Sequence, residues 1–269
     1  MRLWKRVRIL KAAAFVTYKE WSAYSVHSLV SVLVGLVSFT VQYFVLTAIY
    51  SGRSEIAGLG LEQAIRYFGA AALIRCLATD FADRNLQMLV RTGGFLAFQL
   101  RPVHHRFFAL SQKVGHRSLG FLLEFLPCLA VFALLFHVDL RPDHYGWTAL
   151  SVAAAFLMNF YVNYSLGLSA FFPVGSDRLR SAYGFLAGIF AGGLLPLAFF
   201  PETVRKLLMF LPFQYTLYVP AMVWTGAPLG LSLNVPTLVG IQCAAVLAAA
   251  LLSELLYRLA ARQFSRVNV

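Results

Sequence analysis

Acid is scarce in this sequence: 11 Asp and Glu stand against 23 Lys and Arg. Charged residues of both signs make up only 13% of the chain, about half of what an ordinary soluble domain carries. No G-x-x-x-x-G-K-[ST] phosphate loop occurs, so the sequence shows no nucleotide motor of its own. Neither H-E-x-x-H nor G-x-S-x-G occurs, which removes the usual grounds for a zinc peptidase or a serine hydrolase. The three cysteines, Cys76, Cys128 and Cys243, lie in apolar stretches without metal-ligand spacing and read as small buried hydrophobes, not as a disulfide framework. His104 and His105 are adjacent, so on a helix they point about 100° apart and make no two-ligand face. These residues give no catalytic group, metal site or bound cofactor.

What the chain has in excess is apolar surface. Hydrophobic residues are 59% of the total and the mean hydropathy is +0.70, values of an all-α integral membrane protein. A membrane crossing needs about 20 apolar residues. Six segments qualify: Ser28 to Tyr50, Ala64 to Asp83, Leu119 to Val138, Trp147 to Phe172, Ser181 to Phe200 and Thr237 to Leu259. The net charge of +12 could mark a nucleic-acid binder, but the positions of the cations decide otherwise. With the N-terminus inside, the inner segments hold Arg2 to Lys19, Arg84 to Arg117, Arg178 and Arg180, and Arg258 to Arg266. The outer ones hold Arg53, Arg66, Arg141, Arg205 and Lys206, balanced by Glu55, Glu62, Asp139, Asp143 and Glu202. That is the positive-inside pattern: both termini are cytoplasmic, the partner is the lipid bilayer, and no nucleic acid is implied.

The whole chain, 1–269, reads as a single transmembrane domain with three specialised parts. Residues 1–27 form an amphipathic interfacial helix, with Leu3, Val7, Leu10, Ala14, Tyr18 and Trp21 on one face. The basic start followed by an apolar run is like a signal peptide, but no small-residue cleavage site follows and the run is long enough to span. The first span is therefore expected to stay in the mature protein. Residues 84–117 make the largest cytoplasmic connection. Residues 194–226 carry four prolines counted with their flanks, Pro196, Pro201, Pro212 and Pro220, and the charges Glu202, Arg205 and Lys206. Two short helices that dip into the outer leaflet and turn back account for both, and such irregular backbone must line a cavity or be buried in protein.

Ionisable residues inside spans are costly and so mark partners or pathways. Asp80 reaches Arg84 and Glu254 reaches Arg258 at i,i+4 spacing. Glu124 lies near a cytoplasmic end. Arg75 has no local acid and needs a partner or a cavity elsewhere. Gly184, Gly188 and Gly192, four residues apart, form a row that allows close helix packing within the chain or across a dimer seam.

Two stretches, taken in order within a six-span frame, carry a family resemblance. "VRTGGFLAFQLRPVHHRFF", Val90 to Phe108, resembles the G-x-(hydrophobic)…L-x-R-P signature after the second span of type-2 ATP-binding-cassette permeases. "LLPLAFFPETVRKLLMFLPFQYTLYVPAMVWTG", Leu194 to Gly226, resembles the proline-broken segment before their sixth span. The resemblance covers essentially the whole chain and points to the compact multidrug and viologen-type efflux permeases. It implies a half-transporter in the bacterial inner membrane, which docks separate ATPase subunits carrying ATP and magnesium and pairs with a second, identical or paralogous, permease protomer. It implies that Gly93, Leu100, Arg101 and Pro102 belong to a coupling helix, and that Pro196, Phe200, Pro201, Pro212, Phe213 and Pro220 belong to an extracellular gate for a drug-like small molecule. His104, His105 and the doubled Gly93 and Gly94 have no counterpart in the family pattern. Two other readings compete: a structural or assembly subunit of an envelope complex with no transport path, and an ion-driven carrier, which expects ionisable groups at the midplane on discontinuous helices.

Overall fold

Lipid offers no hydrogen-bond partner to a backbone, so a spanning chain satisfies itself within helices. The computed structural model is accordingly helical almost throughout; it describes residues 3–22, 25–56, 58–172, 176–226 and 234–267. Helix α1 (Leu3–Ser22) leads into α2 (Ser25–Ile49), and a two-residue hairpin, β1 (Glu55–Ile56) against β2 (Leu59–Gly60), turns the chain into α3 (Leu61–Ala78). Three helices follow, α4 (Ala82–Arg91), α5 (Gly94–Gln99) and α6 (His105–Gly120), and then a π-turn at Phe121–Phe125 and α7 (Leu126–Leu135). Helix α8 (Tyr145–Leu168) is long, α9 (Ser176–Phe190) is short, and α10 (Glu202–Leu208), α11 (Phe213–Thr216) and α12 (Tyr218–Thr225) are shorter still. Helix α13 (Val235–Val267) closes the chain.

Among the described residues, four stretches are long and apolar enough to cross a membrane: Val30–Ile49, His105–Leu135, Tyr145–Phe171 and Val235–Gln263. The second and fifth expected spans differ from these for physical reasons. Helix α3 carries Glu62, Arg66 and Arg75 within 18 residues, and it tolerates them because much of it, from Ala64 to Ile74, is buried among other helices. Helix α9 has 15 residues, about 22 Å of rise, and stops at Phe190, short of a hydrocarbon core of about 30 Å. The third span departs in the other direction. Much of the expected cytoplasmic connection is helix α6, which continues through the π-turn into α7 as one rod of 31 residues. The proline at position 127 explains the π-turn: its ring crowds the carbonyl one turn back, and one extra residue per turn makes room.

The core lies around α3, which packs on α2, α8 and α12, with Tyr67, Phe68, Leu73, Phe132, Met158 and Val223 buried in it. Helices in lipid gain no hydrophobic free energy by associating, so close fit and polar contacts hold them. Gln242 on α13 shows this well: fully buried, it donates to the carbonyls of Ser151 (3.1 Å) and Tyr215 (3.0 Å) and accepts from the Ser151 hydroxyl (2.6 Å).

Helix α1 lies along α6. The face in contact is Ala13 and Thr17, both buried, whereas Val7 and Tyr18 of the expected apolar stripe are exposed together with Phe15 and Val16. Met1, Arg2, Ala23 and Tyr24 of the expected 1–27 helix lie outside the described residues, as do the side chains of Leu3 and Trp21. The crossing point is Gly115, where a Cβ would collide with the backbone of Ala14. Gly115→Leu is therefore expected to prise α1 away from α6 and destabilise the protein by about 1–3 kcal/mol. Thermal unfolding in detergent, together with faster proteolysis within residues 3–22, measures it.

Candidate functional site

The end expected to face the cytoplasm is built on a sharp turn. Helix α4 ends at Arg91, and Gly93 adopts φ 75°, a left-handed conformation that a side chain resists; from it α5 starts in a new direction. Six residues later the chain leaves α5 at Leu100, whose side chain is 88% exposed, and Leu96 and Met88 are exposed beside it. Arg101 does not project freely: its guanidinium lies over the rings of Phe98 (5.3 Å) and Phe108 (5.7 Å). Pro102 follows in the bend that leads into α6. Gly93, Leu100, Arg101 and Pro102 are thus brought into one compact corner that presents an apolar tip.

Two histidines tie this corner to the long helices. His105 is buried between Phe95 and Phe98, ring centroids 5.5 and 4.6 Å away, and its Nδ1 is 2.8 Å from the Tyr164 hydroxyl on α8. His104 stacks on Tyr257 of α13 at 4.5 Å, with Nε2 3.8 Å from Glu254. Arg106 also reaches Glu254 (3.1 Å) and donates to the Ala250 carbonyl (2.7 Å), while Arg258 holds Glu254 from its own helix at 3.0 Å. On the other side, Asp83–Arg180 and Arg91–Asp177 (2.6 Å) bind α4 to α9. A push on α5 therefore has connections to α8, α13 and, through α4, to α9.

The break after α9 is the second element. Gly192 is left-handed at φ 84°, its carbonyl accepts from the Tyr67 hydroxyl at 2.9 Å, and the Gly193 carbonyl accepts from Gln42 Nε2 at 3.0 Å. Side chains of α3 and α2 thus satisfy a backbone that the helix has abandoned. Beyond Pro196 the chain forms a 3-10 turn at Leu197–Phe199, the half-buried Phe200 and then α10, opened by Pro201 and bearing the Glu202–Lys206 pair at 2.8 Å. The two pieces differ in kind. Helix α10 is largely exposed, with Leu207 at 64%. From Phe213 to Thr225 every residue is buried, Pro220 included, with Pro212 at its start. Helix α12 ends against the loop before α8: Trp224 Nε1 donates to the Leu140 carbonyl (2.8 Å), and the Trp224 carbonyl accepts from Asp143 N (3.0 Å). That loop is in turn held to α3 by the Arg66–Asp143 pair.

The ionisable residues part company. Asp80 pairs with Lys113 at 3.3 Å, not with Arg84, which lies over the Phe81 ring; α3 ends at Ala78, so positions 80 and 84 are not one turn apart on a common helix. Glu124, in the π-turn, faces Arg117 at 3.5 Å. Arg75 makes no ion pair and no side-chain hydrogen bond among the described residues. The glycine row also divides. A Cβ at Gly184 or Gly188 would meet nothing, so neither packs against another helix of this chain, whereas Gly192 belongs to the turn and sits under Tyr67 and Tyr218.

Residues 36–266 match the sequence pattern of the ABC-2 family of transporter proteins. The chain belongs to that family. No curated protein and no solved structure matches it. An ABC-2 membrane protein is a multi-pass transporter subunit that generally works with ABC ATPases, so the Gly93–Pro102 corner and the broken helix are the parts of this ABC-2 subunit to test for coupling and passage.

Sequence reasoning missed the anchors of the corner. His105, Tyr164 and Glu254 act across 59 and more residues of chain, and no local spacing announces them. Of these groups, His104 gives the ABC-2 subunit a pH dependence. Partial burial lowers its pKa below 6.5, and Arg106 and Arg258 add to this against the pull of Glu254. The folded protein thus binds fewer protons there than the unfolded chain, so stability falls as pH drops below about 6.5 and through the depressed folded value. The ring is nearly half exposed, so the loss is under about 0.5 kcal/mol. Melting between pH 7.5 and 5 should show it, with a shallower slope in His104→Gln.

Proposed function

We infer that this chain is the membrane half of an ATP-driven exporter. Two permeases, identical or paralogous, enclose the path; separate ATPase subunits carry ATP and magnesium and dock at the corner formed by Gly93, Leu100, Arg101 and Pro102. The observation that carries this reading is the exposed Leu100 at the tip of a short helix. That helix packs through Phe95 and Phe98 on His105, and α6, which His105 opens, is tied to α8 and α13, which makes the corner a lever and not a surface loop. Helices α10 to α12 form the outer gate, with Pro196, Phe200, Pro201, Pro212, Phe213 and Pro220 fixing its bends. Six membrane-traversing segments, with both termini cytoplasmic in a bacterial inner membrane, complete the proposal; α3 and α9 cross within the protein interior and with help from the gate. Gly184 and Gly188, open on their helix, serve the seam with the second permease. The cargo is a hydrophobic or amphipathic small molecule. Purification of the complex from native membranes tests this: an ATPase should co-purify, and a transported compound should stimulate its hydrolysis in liposomes. An associated ATPase indifferent to every compound, with no accumulation change on deletion, would support the assembly-subunit reading instead.

A further inference from the structure

Near the middle of this protein the described acids each have a cationic partner, and Arg75 has no acid. Asp80 is matched by Lys113, Asp83 by Arg180 and Glu124 by Arg117. Every Asp and Glu of the sequence falls among the described residues, and none of them pairs with Arg75. The guanidinium is nevertheless not hidden in packing. Arg75 is exposed, and it lines two neighbouring cavities, one of about 260 Å³ between α2, α3 and α6 and one of about 360 Å³ between α3, α8 and the end of α9. It stands between them, over Gly193, at the break where any added Cβ would strike it.

Three polar side chains around it are already engaged. Gln42 donates to Gly193, Thr79 donates to the carbonyl of Arg75 itself, and Asn159 donates to Ala155. The five N–H donors of Arg75 have no partner among the described residues, and they carry a full charge. Apolar wall is supplied by Val34, Phe68 and Ala71 on one side, where the Arg117–Glu124 pair and His116 close the far end, and by Leu194 and Leu217 on the other. An unpaired cation at such a place is expensive unless water or a ligand satisfies it. We propose that Arg75 is the headgroup site for a single-chain anionic amphiphile, whose phosphate or carboxylate takes the guanidinium in a forked pair while its tail lies along the apolar walls. This rests on the exporter reading and deepens it: the cargo class becomes anionic, where the family resemblance alone points to drug-like or viologen-type, cationic compounds.

The test is binding, which needs no ATPase. The full chain in phosphatidylcholine nanodiscs is titrated with radiolabelled dodecyl phosphate, with dodecyltrimethylammonium and dodecyl maltoside as competitors. Saturable binding is expected, weakened about tenfold or more in Arg75→Gln and by less in Arg75→Lys, which keeps the charge but not the fork. Neither competitor should displace it. Discs containing phosphatidylglycerol identify the source of the anion: competition that disappears in Arg75→Gln assigns a bilayer lipid, and unchanged binding assigns a free amphiphile. Equal affinity in wild type and Arg75→Gln, with only a lower melting temperature in the variant, would overturn the proposal and leave Arg75 a structural residue. So would displacement by the quaternary amine. Binding that behaves as expected in a protein that yields no ATP-driven transport would instead sink the exporter reading and leave the site standing.

Discussion

Leu100→Glu abolishes capture of the ATPase while leaving the subunit folded and inserted. The side chain is almost entirely exposed in the isolated subunit, so its replacement touches no internal contact and the melting temperature should move little. In a groove of a partner the same side chain is worth about 1.5–3 kcal/mol, and a buried unpaired carboxylate adds to the loss, so affinity falls about a hundredfold or more. Arg101→Glu gives the comparison. It also disrupts docking, but it removes the stacking over Phe98 and Phe108, so this variant melts lower as well. Pull-down of the ATPase with each variant, set against its melting curve, separates a contact residue from a support residue. An undiminished pull-down with Leu100→Glu removes α5 from the docking role.

Gly192→Val is expected to cost about 2–4 kcal/mol and to stop transport. Two physical terms add here. The backbone at φ 84° resists any β-branched residue, and the new Cβ would stand 2.6 Å from the Tyr67 hydroxyl and 3.0 Å from Cβ of Tyr218. Gly184→Val and Gly188→Val have open space on a regular helix and should leave the monomer's stability almost unchanged, acting instead on association with a second protomer or on the cavities they line. Melting curves for the three variants, followed by chemical cross-linking in the membrane, show which glycine makes the turn and which ones face outward. If all three lower the melting temperature equally, the division of the row is wrong.

Much of the architecture is written locally and could be read so. Composition, run length and charge placement locate the long apolar helices, and the prolines at 196, 201 and 212 mark where regular helix gives way, whereas Pro220 sits in the first turn of α12. Gly93 and Gly192 are visible as glycines, but that each is left-handed follows only from the turn it makes. The spacing of Gly192 from Gly188 imitates a helical row, because sequence periodicity does not reveal that the helix has already ended at Phe190. Asp80 and Arg84 are misread for a similar reason: the i,i+4 rule assumes one helix, and α3 stops between Arg75 and Asp80. The contacts that lock the corner, His105 to Tyr164 and Arg106 to Glu254, are products of tertiary packing and leave no trace in spacing. Gln242 is equally silent in the sequence, one amide in an apolar run, yet it holds α11 to α8 and α13.

The crossing of α1 over α6 also constrains how the protein is made. Ala14 leaves the ribosome about a hundred residues before Gly115, a wait of several seconds at about 5–20 residues per second. During that interval the first helix has no docking site, and its outward-facing Val7, Phe15, Val16 and Tyr18 must moor it to the membrane surface until the later helix arrives. A nascent chain halted before position 115 should therefore expose its first twenty residues to protease, and the completed chain should shelter them.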